Sequence, residues 1–289
     1  MSKQNHNILS FDIEDWFHPE IFNGRFPSEE WEKQESRVVE STELILNFLA
    51  RKNLKSTFFF LGWVAEKYPE LVTRAAHEGH EIASHGYSHK MITQMTPESF
   101  RQDLRKSLDV LQRLVDQPVV GYRAPTFSVT KDTLWALPIM LEEGLRYDSS
   151  VFPIHHDRYG IPDAPREPFV IYEKNGKKLI EYPMTTVKLG SQNLPCSGGG
   201  YFRLFPFPLT RHLMKRCQNE QRPIIFYAHP WEFDTGLPKV DLGFTGKIRH
   251  YKGIHQFLKR LDVITDMFPF TSFQASNLAI QSQSSFSFS

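Results

Sequence analysis

The sequence has little cysteine, no excess charge of one sign and no long apolar run. Its two cysteines, Cys196 and Cys217, provide neither a disulfide framework nor a zinc knuckle. With 34 basic and 33 acidic residues, the net charge of +1 argues against nucleic acid or an anionic membrane as the main partner. No stretch approaches the ~18 apolar residues that span a bilayer, and the first residues lack the apolar core of a secretion signal. These absences predict a soluble, cytoplasmic protein that has no membrane span and binds no nucleic acid.

Several catalytic signatures are also absent from the sequence. It contains no G-x-S-x-G elbow, no H-E-x-x-H pair, no Walker loop and no G-x-G-x-x-G after a predicted strand. The glycine-rich stretch SGGGYF (197–202) lacks the Lys-Ser/Thr that follows the glycines of a phosphate-binding loop. We therefore interpret residues 195–206, rich in glycine and aromatic residues, as a tight loop near the site.

Strand-like and helix-like segments alternate over the first 150 residues. Short apolar runs of strand type occur at 6–13, 55–62, 80–85, 118–123 and 145–150, and amphipathic segments of helical spacing separate most of them. This alternation predicts parallel βαβ units and an α/β fold. Further along, the sequence predicts a hairpin turning at Asn175-Gly176, a strand within 222–234 and a last helix at 253–267. We expect one catalytic domain over 1–275, with an insertion or C-terminal extension around 151–221, and a low-complexity tail at 276–289.

Ionisable side chains recur where these predicted strands end. The carboxyl ends of parallel strands share one face of an α/β fold, and active sites are built there. Polar loop residues are expected at strand ends on structural grounds alone, but not a set of His, Asp and Arg directly after apolar runs on five strands. The residues concerned are Asp12, Glu14, Asp15, His85, His89, Arg123, Asp148 and His229.

His85 and His89, within ASHGYSH, are candidate metal ligands. With 12 histidines in the chain, a pair four residues apart arises by chance often enough to mean little alone. Two imidazoles and a carboxylate, however, form a ligand set for a divalent metal with open positions. FDIEDW offers Glu14 or Asp15 as the carboxylate, and strand geometry favours Glu14, which projects to the same side of an extended strand as Asp12.

Aromatic side chains beside the same strand ends suit sugar rings. A packing role at the rim of the fold is the alternative for each of them. The residues predicted to contact a substrate are Trp16, Tyr87, Pro125, Thr126, Tyr201 and Trp231.

Five blocks of the sequence resemble, in order, the motifs of the polysaccharide deacetylases that have a NodB-homology domain. They are SFDIEDW, SHGYSH, YRAPTFS, YDSS and IIFYAHP, within residues 7–150 and 222–234, about half of the chain. Two departures stand out: D-I-E-D replaces the usual adjacent Asp pair, and Gly86 stands where Ser or Thr is usual. The region CSGGGYFRLFP…HPWEFD resembles a subgroup that occurs with exopolysaccharide and O-antigen gene sets. The resemblance implies a distorted, seven-stranded (β/α) barrel.

The resemblance also implies a function: metal-dependent removal of N-acetyl groups from an amino sugar of a surface or extracellular polysaccharide, or of its precursor. The metal is expected to be Zn²⁺, with Co²⁺, Ni²⁺ or Mn²⁺ as alternatives. Asp12 would be the general base and Arg123 its partner, while His229 would be the general acid, held by Asp148. A backbone N–H near 124–126 would stabilise the oxyanion. The alternatives are a deformylase, a cyclic-amide hydrolase, or a catalytically silent carbohydrate-binding protein.

Overall fold

One large sheet runs through the protein, and helices connect most of its strands. The structure is a computed structural model that describes residues 7–22 and 24–276, so the predicted tail lies outside the described residues except for Ser276. The described strands are β1 (Asn7–Ile13), β2 (Thr57–Phe60), β3 (Glu81–Ser84), β4 (Gly121–Tyr122), β5 (Tyr147–Asp148), β6 (Phe169–Lys174), β7 (Lys177–Glu181), β8 (Thr186–Leu189), β9 (Gln192–Pro195), β10 (Ile225–Ala228) and β11 (Phe270–Thr271). The described helices are α1 (Val38–Lys52), α2 (Gly62–Lys67), α3 (Pro69–His77), α4 (Pro97–Gln112), α5 (Ala136–Glu142), α6 (Gly199–Leu204), α7 (Phe207–Asn219), α8 (Gly243–Tyr251) and α9 (Ile254–Met267).

The sheet has the strand order β10-β1-β2-β3-β4-β5-β7-β6, with β11 beside the start of β1. Every pairing from β10 to β7 is parallel, which confirms the predicted α/β fold. The parallel run contains seven strands, the predicted number, and two more extend the sheet: antiparallel β6 at one edge and short β11. Within the described residues no strand pairing joins β10 to β6, so hydrogen bonds do not close the sheet into a barrel.

The central strands are buried on both faces, as parallel strands covered by helices are. All seven residues of β1 and all four of β2 are buried. Register aligns the carboxyl ends, because Phe11 pairs with Ala228, Ser84 with Tyr122, and Tyr122 with Asp148. The residues that follow these ends therefore meet at one edge of the sheet. No helix in the described part of the chain is long and apolar enough to cross a membrane.

Two local predictions have different outcomes. The hairpin of β6 and β7 turns at Asn175 and Gly176, with φ of 53° and 74°, as the Asn-Gly pair predicts. The stretch predicted as a loop at 195–206 instead contains α6, so that prediction is wrong. Phe202 packs edge-on against the rings of Phe226 and Phe257, at centroid distances of 4.9 and 5.2 Å. This tertiary burial stabilises a short helix in a segment whose glycines disfavour one locally.

Gly198, just before α6, permits this close packing. Its φ is +85°, and a Cβ there would overlap the carbonyl oxygen of Tyr227 in β10. Gly176 has a similar φ of +74°, but a Cβ there would meet no atom within 4 Å. Replacing Gly198 therefore adds overlap to backbone strain, which is itself high at a ψ of 171°, whereas replacing Gly176 adds strain alone.

We expect Gly176→Ala to lower the free energy of unfolding by about 1–2 kcal/mol, the cost of a left-handed alanine. Gly198→Ala should cost about 1–3 kcal/mol more, because β10 or α6 must also move. Urea denaturation of the two variants measures the difference. Equal losses would show that α6 does not depend on close contact with β10.

Candidate metal centre and active site

Glu14, His85 and His89 bring three potential metal ligands together at the carboxyl edge of the sheet. One carboxylate oxygen and two imidazole nitrogens all lie within 4.8 Å of one another. Glu14 Oε2 is 2.5 Å from His89 Nε2 without satisfying the geometry of a hydrogen bond, and both side chains are buried. A buried carboxylate oxygen without a donor is costly unless a cation neutralises it. These three residues therefore fit a divalent metal.

Backbone contacts orient both imidazoles. His85 Nδ1–H donates to the carbonyl oxygen of Arg123 at 2.8 Å, which leaves Nε2 as the unprotonated nitrogen. His89 has a φ of +52° and follows a turn whose Tyr87 and Ser88 amides both donate to the Asp103 carboxylate. The turn between β3 and α4 thus holds the second imidazole toward Glu14.

The charge states of the cluster also suit a divalent cation. Burial lowers the pKa of His85 to about 4, so this imidazole is neutral near pH 7. Burial alone would raise the pKa of Glu14, but His89, His229 and His85 hold it well below its usual range. An anionic carboxylate and a neutral imidazole are the forms in which these groups bind metals.

Asp15, the alternative carboxylate, points elsewhere. It accepts hydrogen bonds from the Ser36 hydroxyl at 2.5 Å and from the Trp16 and Arg37 amides. These contacts tie it to the start of α1, and burial raises its pKa to about 6. The prediction of Asp15 as a metal ligand is therefore wrong, because the chain turns after Glu14 and sends the next side chain away.

Asp12 and Arg123 form the predicted pair beside the cluster. Arg123 Nη1 donates to Asp12 Oδ1 at 2.7 Å, and both side chains are buried. The same guanidinium donates to Ser10 Oγ at 2.9 Å and to Ser149 Oγ at 3.0 Å. Asp12 is thus held by a fully engaged cation, with its second oxygen 3.9 Å from His229 Nε2.

The partner of His229 is Glu232, not the predicted Asp148. Glu232 Oε2 lies 3.1 Å from His229 Nδ1 and accepts the His229 amide at 3.0 Å, and its other oxygen accepts Arg203 Nε at 2.6 Å. Burial opposes a charged imidazole, but Glu232, Glu14 and Asp12 raise the pKa of His229 to about 9. A sequence signal existed, since H-P-W-E places Glu three residues after a helix-capping position.

Asp148 instead faces Glu181 across the sheet. The two residues are register partners on β5 and β7, and both carboxyl groups are buried. Burial raises the pKa of Asp148 to about 6, and burial with the Asp148 charge raises that of Glu181 well above its usual range. Asp148 Oδ1 accepts the Ser150 hydroxyl, whose oxygen accepts the Ala124 amide at 2.8 Å. Asp148 therefore supports the 124–127 turn, and the Ala124 N–H is not free for an oxyanion.

A cavity of about 190 Å³ opens above the metal cluster. Of the predicted substrate contacts, Thr126 and Trp231 line it, and Tyr201 lines an adjoining cavity. Sequence reasoning missed Tyr159 and Tyr227, which also line the first cavity. Tyr159 lies in the irregular 151–168 segment, where no periodic signal marks it.

Three predicted substrate contacts line neither cavity. Trp16 is buried, with its indole N–H on the Glu35 carbonyl oxygen and its ring against aromatic neighbours. Tyr87 points to the surface, where its hydroxyl donates to Glu66. Pro125 is buried and lines neither cavity. The rim of the fold holds more packing aromatics than binding ones.

Trp231 differs from a free sugar platform because two imidazoles stack on its ring. His229 stacks on one side at 4.9 Å and His250 is stacked on the ring at 4.7 Å. Its indole N–H donates to Glu14 Oε1 at 3.2 Å. Trp231 therefore presents an edge to the cavity and orients His229 and Glu14.

Two family models match adjacent parts of the chain. The polysaccharide deacetylase model matches residues 32–140, and the model of a domain of unknown function (DUF3473) matches 149–277. The chain contains a polysaccharide deacetylase domain. This confirms the family predicted from the five motifs. The deacetylase region supplies His85, His89 and Arg123, while the second matched region supplies His229 and Glu232.

Relatives of known name match the deacetylase domain over limited lengths. Over 99 residues the chain is 37% identical to the peptidoglycan-N-acetylglucosamine deacetylase of Bacillus cereus. The matched segment covers 34% of this chain and 36% of that protein. Over 113 residues it is 29% identical to the peptidoglycan deacetylase of Helicobacter pylori, and this match covers 39% of this chain and 37% of that protein. The chain therefore spans little more than a third of the length of either relative.

Solved structures resemble the whole fold of the protein. A Mycobacterium smegmatis protein assigned to the polysaccharide deacetylases has a TM-score of 0.57 at 17% identity, covering 94% of this chain and 88% of that one. The Puue allantoinase has the same TM-score at 14% identity, covering 91% and 85%. At these identities the likenesses concern the fold alone.

The metal cluster of the deacetylase domain can be tested with two neighbouring carboxylates. We expect Glu14→Gln to weaken zinc affinity by about a hundredfold or more, because even residues behind the ligands are worth 10–100-fold. Asp15→Asn should keep the affinity and lower the free energy of unfolding by about 1 kcal/mol, as a weakened helix cap does. Zinc competition titrations and denaturation measure the two effects. Loss of affinity in Asp15→Asn alone would reverse the assignment.

The Asp148–Glu181 pair makes the stability of the domain depend on pH. A carboxyl group whose pKa is higher in the folded state stabilises the fold at low pH, and this contribution is lost as pH rises through the folded pKa. We expect Glu181→Gln to raise the free energy of unfolding by about 1–3 kcal/mol at pH 8, and much less near pH 4.5. Glu173→Gln, on the exposed part of the same hairpin, is the control. An equal effect at both pH values would contradict the shared burial of charge.

Proposed function

We propose that this protein is a metal-dependent deacetylase that hydrolyses N-acetyl groups of an amino sugar. Its substrate is a surface or extracellular polysaccharide, or the precursor of one. One observation carries the proposal: an acid, a base and a metal-binding set converge, with His229 Nε2 at 3.9 Å from both Asp12 Oδ2 and Glu14 Oε1. A binding protein has no need of this combination.

Glu14, His85 and His89 are the ligands in this proposal, and Zn²⁺ is the proposed metal. Two imidazoles and one carboxylate, with positions left open, are typical of catalytic zinc sites. The bound ion would polarise the acetyl carbonyl and lower the pKa of water.

Asp12 acts as the general base. Its carboxylate takes a proton from the water that attacks the acetyl carbon, and such transfers contribute about 10²–10⁴-fold to rate. Arg123 keeps one Asp12 oxygen occupied, so the other remains directed toward the cavity and His229. The Thr126 amide, which makes no hydrogen bond within the described residues, is the donor we assign to the developing oxyanion.

His229 acts as the general acid. Glu232 binds Nδ1–H, so the Nε2 proton faces Asp12 and Glu14 at the floor of the cavity. When the C–N bond breaks, Nε2–H protonates the leaving nitrogen, and the products are acetate and a free amine. Arg203 holds Glu232 in place from behind.

Acetate release from N-acetylated oligosaccharides tests this function. We expect chelation to abolish release and Zn²⁺ to restore it. Asp12→Asn should lower kcat by about 10²–10⁴-fold while the protein keeps its metal, measured by elemental analysis of the same samples. Asp109→Asn, an exposed site on α4, should behave as the unaltered protein.

Three results would decide against the proposal. Undiminished turnover in Asp12→Asn would show that Asp12 is not the general base. Loss of metal in that variant would mean that Asp12 is a ligand. Formate or a ring-opened amide, identified by product mass, would favour the alternative hydrolases.

A further inference from the structure

A second cavity, of about 460 Å³, adjoins the one above the metal cluster. The two share Pro19, Tyr159, Tyr227 and Trp231 in their walls. A ligand long enough to extend beyond the metal centre on this side would enter the second cavity. The proposed mechanism makes no use of this space.

The walls of the second cavity are aromatic and basic. Tyr201 joins the shared Tyr159, Tyr227 and Trp231 on the aromatic side, and no Asp or Glu of the described residues lines it. Its basic residues are His156, Arg158, Arg203, Arg249 and His250.

Arg203 and His250 belong to the framework of this cavity. Arg203 is buried, and its guanidinium donates to Glu232 and to the carbonyl oxygens of His250, Lys252 and Arg249. His250 is buried against Trp231, and its Nε2 has no hydrogen-bond partner in the described chain. Burial and the Arg203 charge lower the pKa of His250 to about 3, so it adds no positive charge.

Arg158 and Arg249 are the free cations of the cavity. Neither guanidinium makes an ion pair or hydrogen bond with any described residue, that is, within 7–22 or 24–276. Elsewhere on the surface, exposed Arg74 and Arg105 do pair with carboxylates. Exposed Asp157, next to Arg158 in the sequence, contacts His156 Nδ1 at 2.9 Å.

These two arginines come from different parts of the chain but influence the same imidazole, that of His156. Arg158 lies in the irregular segment 151–168 and Arg249 lies on α8. Burial lowers the pKa of His156, and both guanidiniums lower it further against the opposing charge of Asp157. His156 in turn stacks on Tyr159, a wall of both cavities, at 3.8 Å. Two unpaired guanidiniums that line one cavity, with no Asp or Glu among its described lining residues, favour an anionic ligand.

We propose that the second cavity is a subsite for an acidic group, carboxylate or phosphate, on the unit next to the N-acetylated sugar, with Arg158 and Arg249 as its ligands. Guanidinium groups match the paired oxygens of both anions. The aromatic side of the cavity suits the sugar ring that carries the acid. This inference rests on the proposed function and narrows its substrate to an acidic saccharide.

Equilibrium binding tests the subsite without turnover. Cellobiouronic acid and glucose 1-phosphate carry the two acids, and cellobiose and glucose are their neutral counterparts; none contains an amide to hydrolyse. By calorimetry with the metal-loaded protein, we expect at least one acid to bind about tenfold or more tighter than its counterpart. Added salt should weaken this preference, since the arginines are exposed.

Arginine variants assign the preference to this cavity. Arg158→Gln and Arg249→Gln are exposed changes that should fold normally, and each should lose most of the preference for the acid. Arg113→Gln, an exposed change at the end of α4, should keep all of it. The acid that binds better identifies the source of the anion as a uronic acid or a sugar phosphate.

The outcomes separate this inference from the proposed function. Equal binding of acidic and neutral ligands, no binding of either acid, or full preference in both variants would overturn the subsite. Acetate release from neutral and acidic oligosaccharides alike would support the deacetylase function and argue against the acidic subsite. A retained preference for the acid with no acetate released would overturn the proposed function alone.

Discussion

The buried Arg123 guanidinium joins three strand ends of the candidate site. It donates to Asp12 and Ser10 on β1 and to Ser149 after β5, and it lies 4.2 Å from the ring of Phe59 on β2. Its own carbonyl oxygen accepts the His85 Nδ1–H. One residue therefore holds the proposed base, orients a candidate metal ligand and offsets charge in a place where water is excluded. A fully buried cation is stable only with such complete pairing, so the site and the core are one structure here.

The C-terminal matched region completes the candidate site of the deacetylase domain. It contributes β10, which pairs with β1, and thereby places His229 beside Asp12 and Glu14. It also supplies the chain from His229 through Glu232 to Arg203 and on to carbonyl oxygens near α8. The proposed acid is thus oriented entirely from this region, whereas the candidate ligands and the proposed base come from the first 90 residues.

Trp231 shows how packing and reactivity are combined at this junction. Its ring lies between His229 and His250, and its indole N–H reaches Glu14. Trp231 therefore orients two groups of the candidate site, His229 and Glu14. The space left beyond it is bounded by tyrosines and by Arg158 and Arg249. In the subsite we propose, these residues outside the reacting centre would set the preference for an acidic saccharide.

The sequence by itself determined the α/β class, the parallel pairing of the strands and most residues of the candidate site. Alternating apolar runs specify buried parallel strands, and register brings whatever follows them to one edge, so Asp12, Glu14, His85, His89, Arg123 and His229 could be predicted. The turn at Asn175-Gly176 could also be predicted, because the Asn-Gly pair itself encodes it. Only the tertiary structure decided between Glu14 and Asp15, because the turn after β1 sets which carboxylate points inward. It also replaced Asp148 by Glu232 beside His229, and formed α6 around buried Phe202. Side-chain direction past a strand end and pairing between distant segments depend on packing, which no periodicity in the sequence encodes.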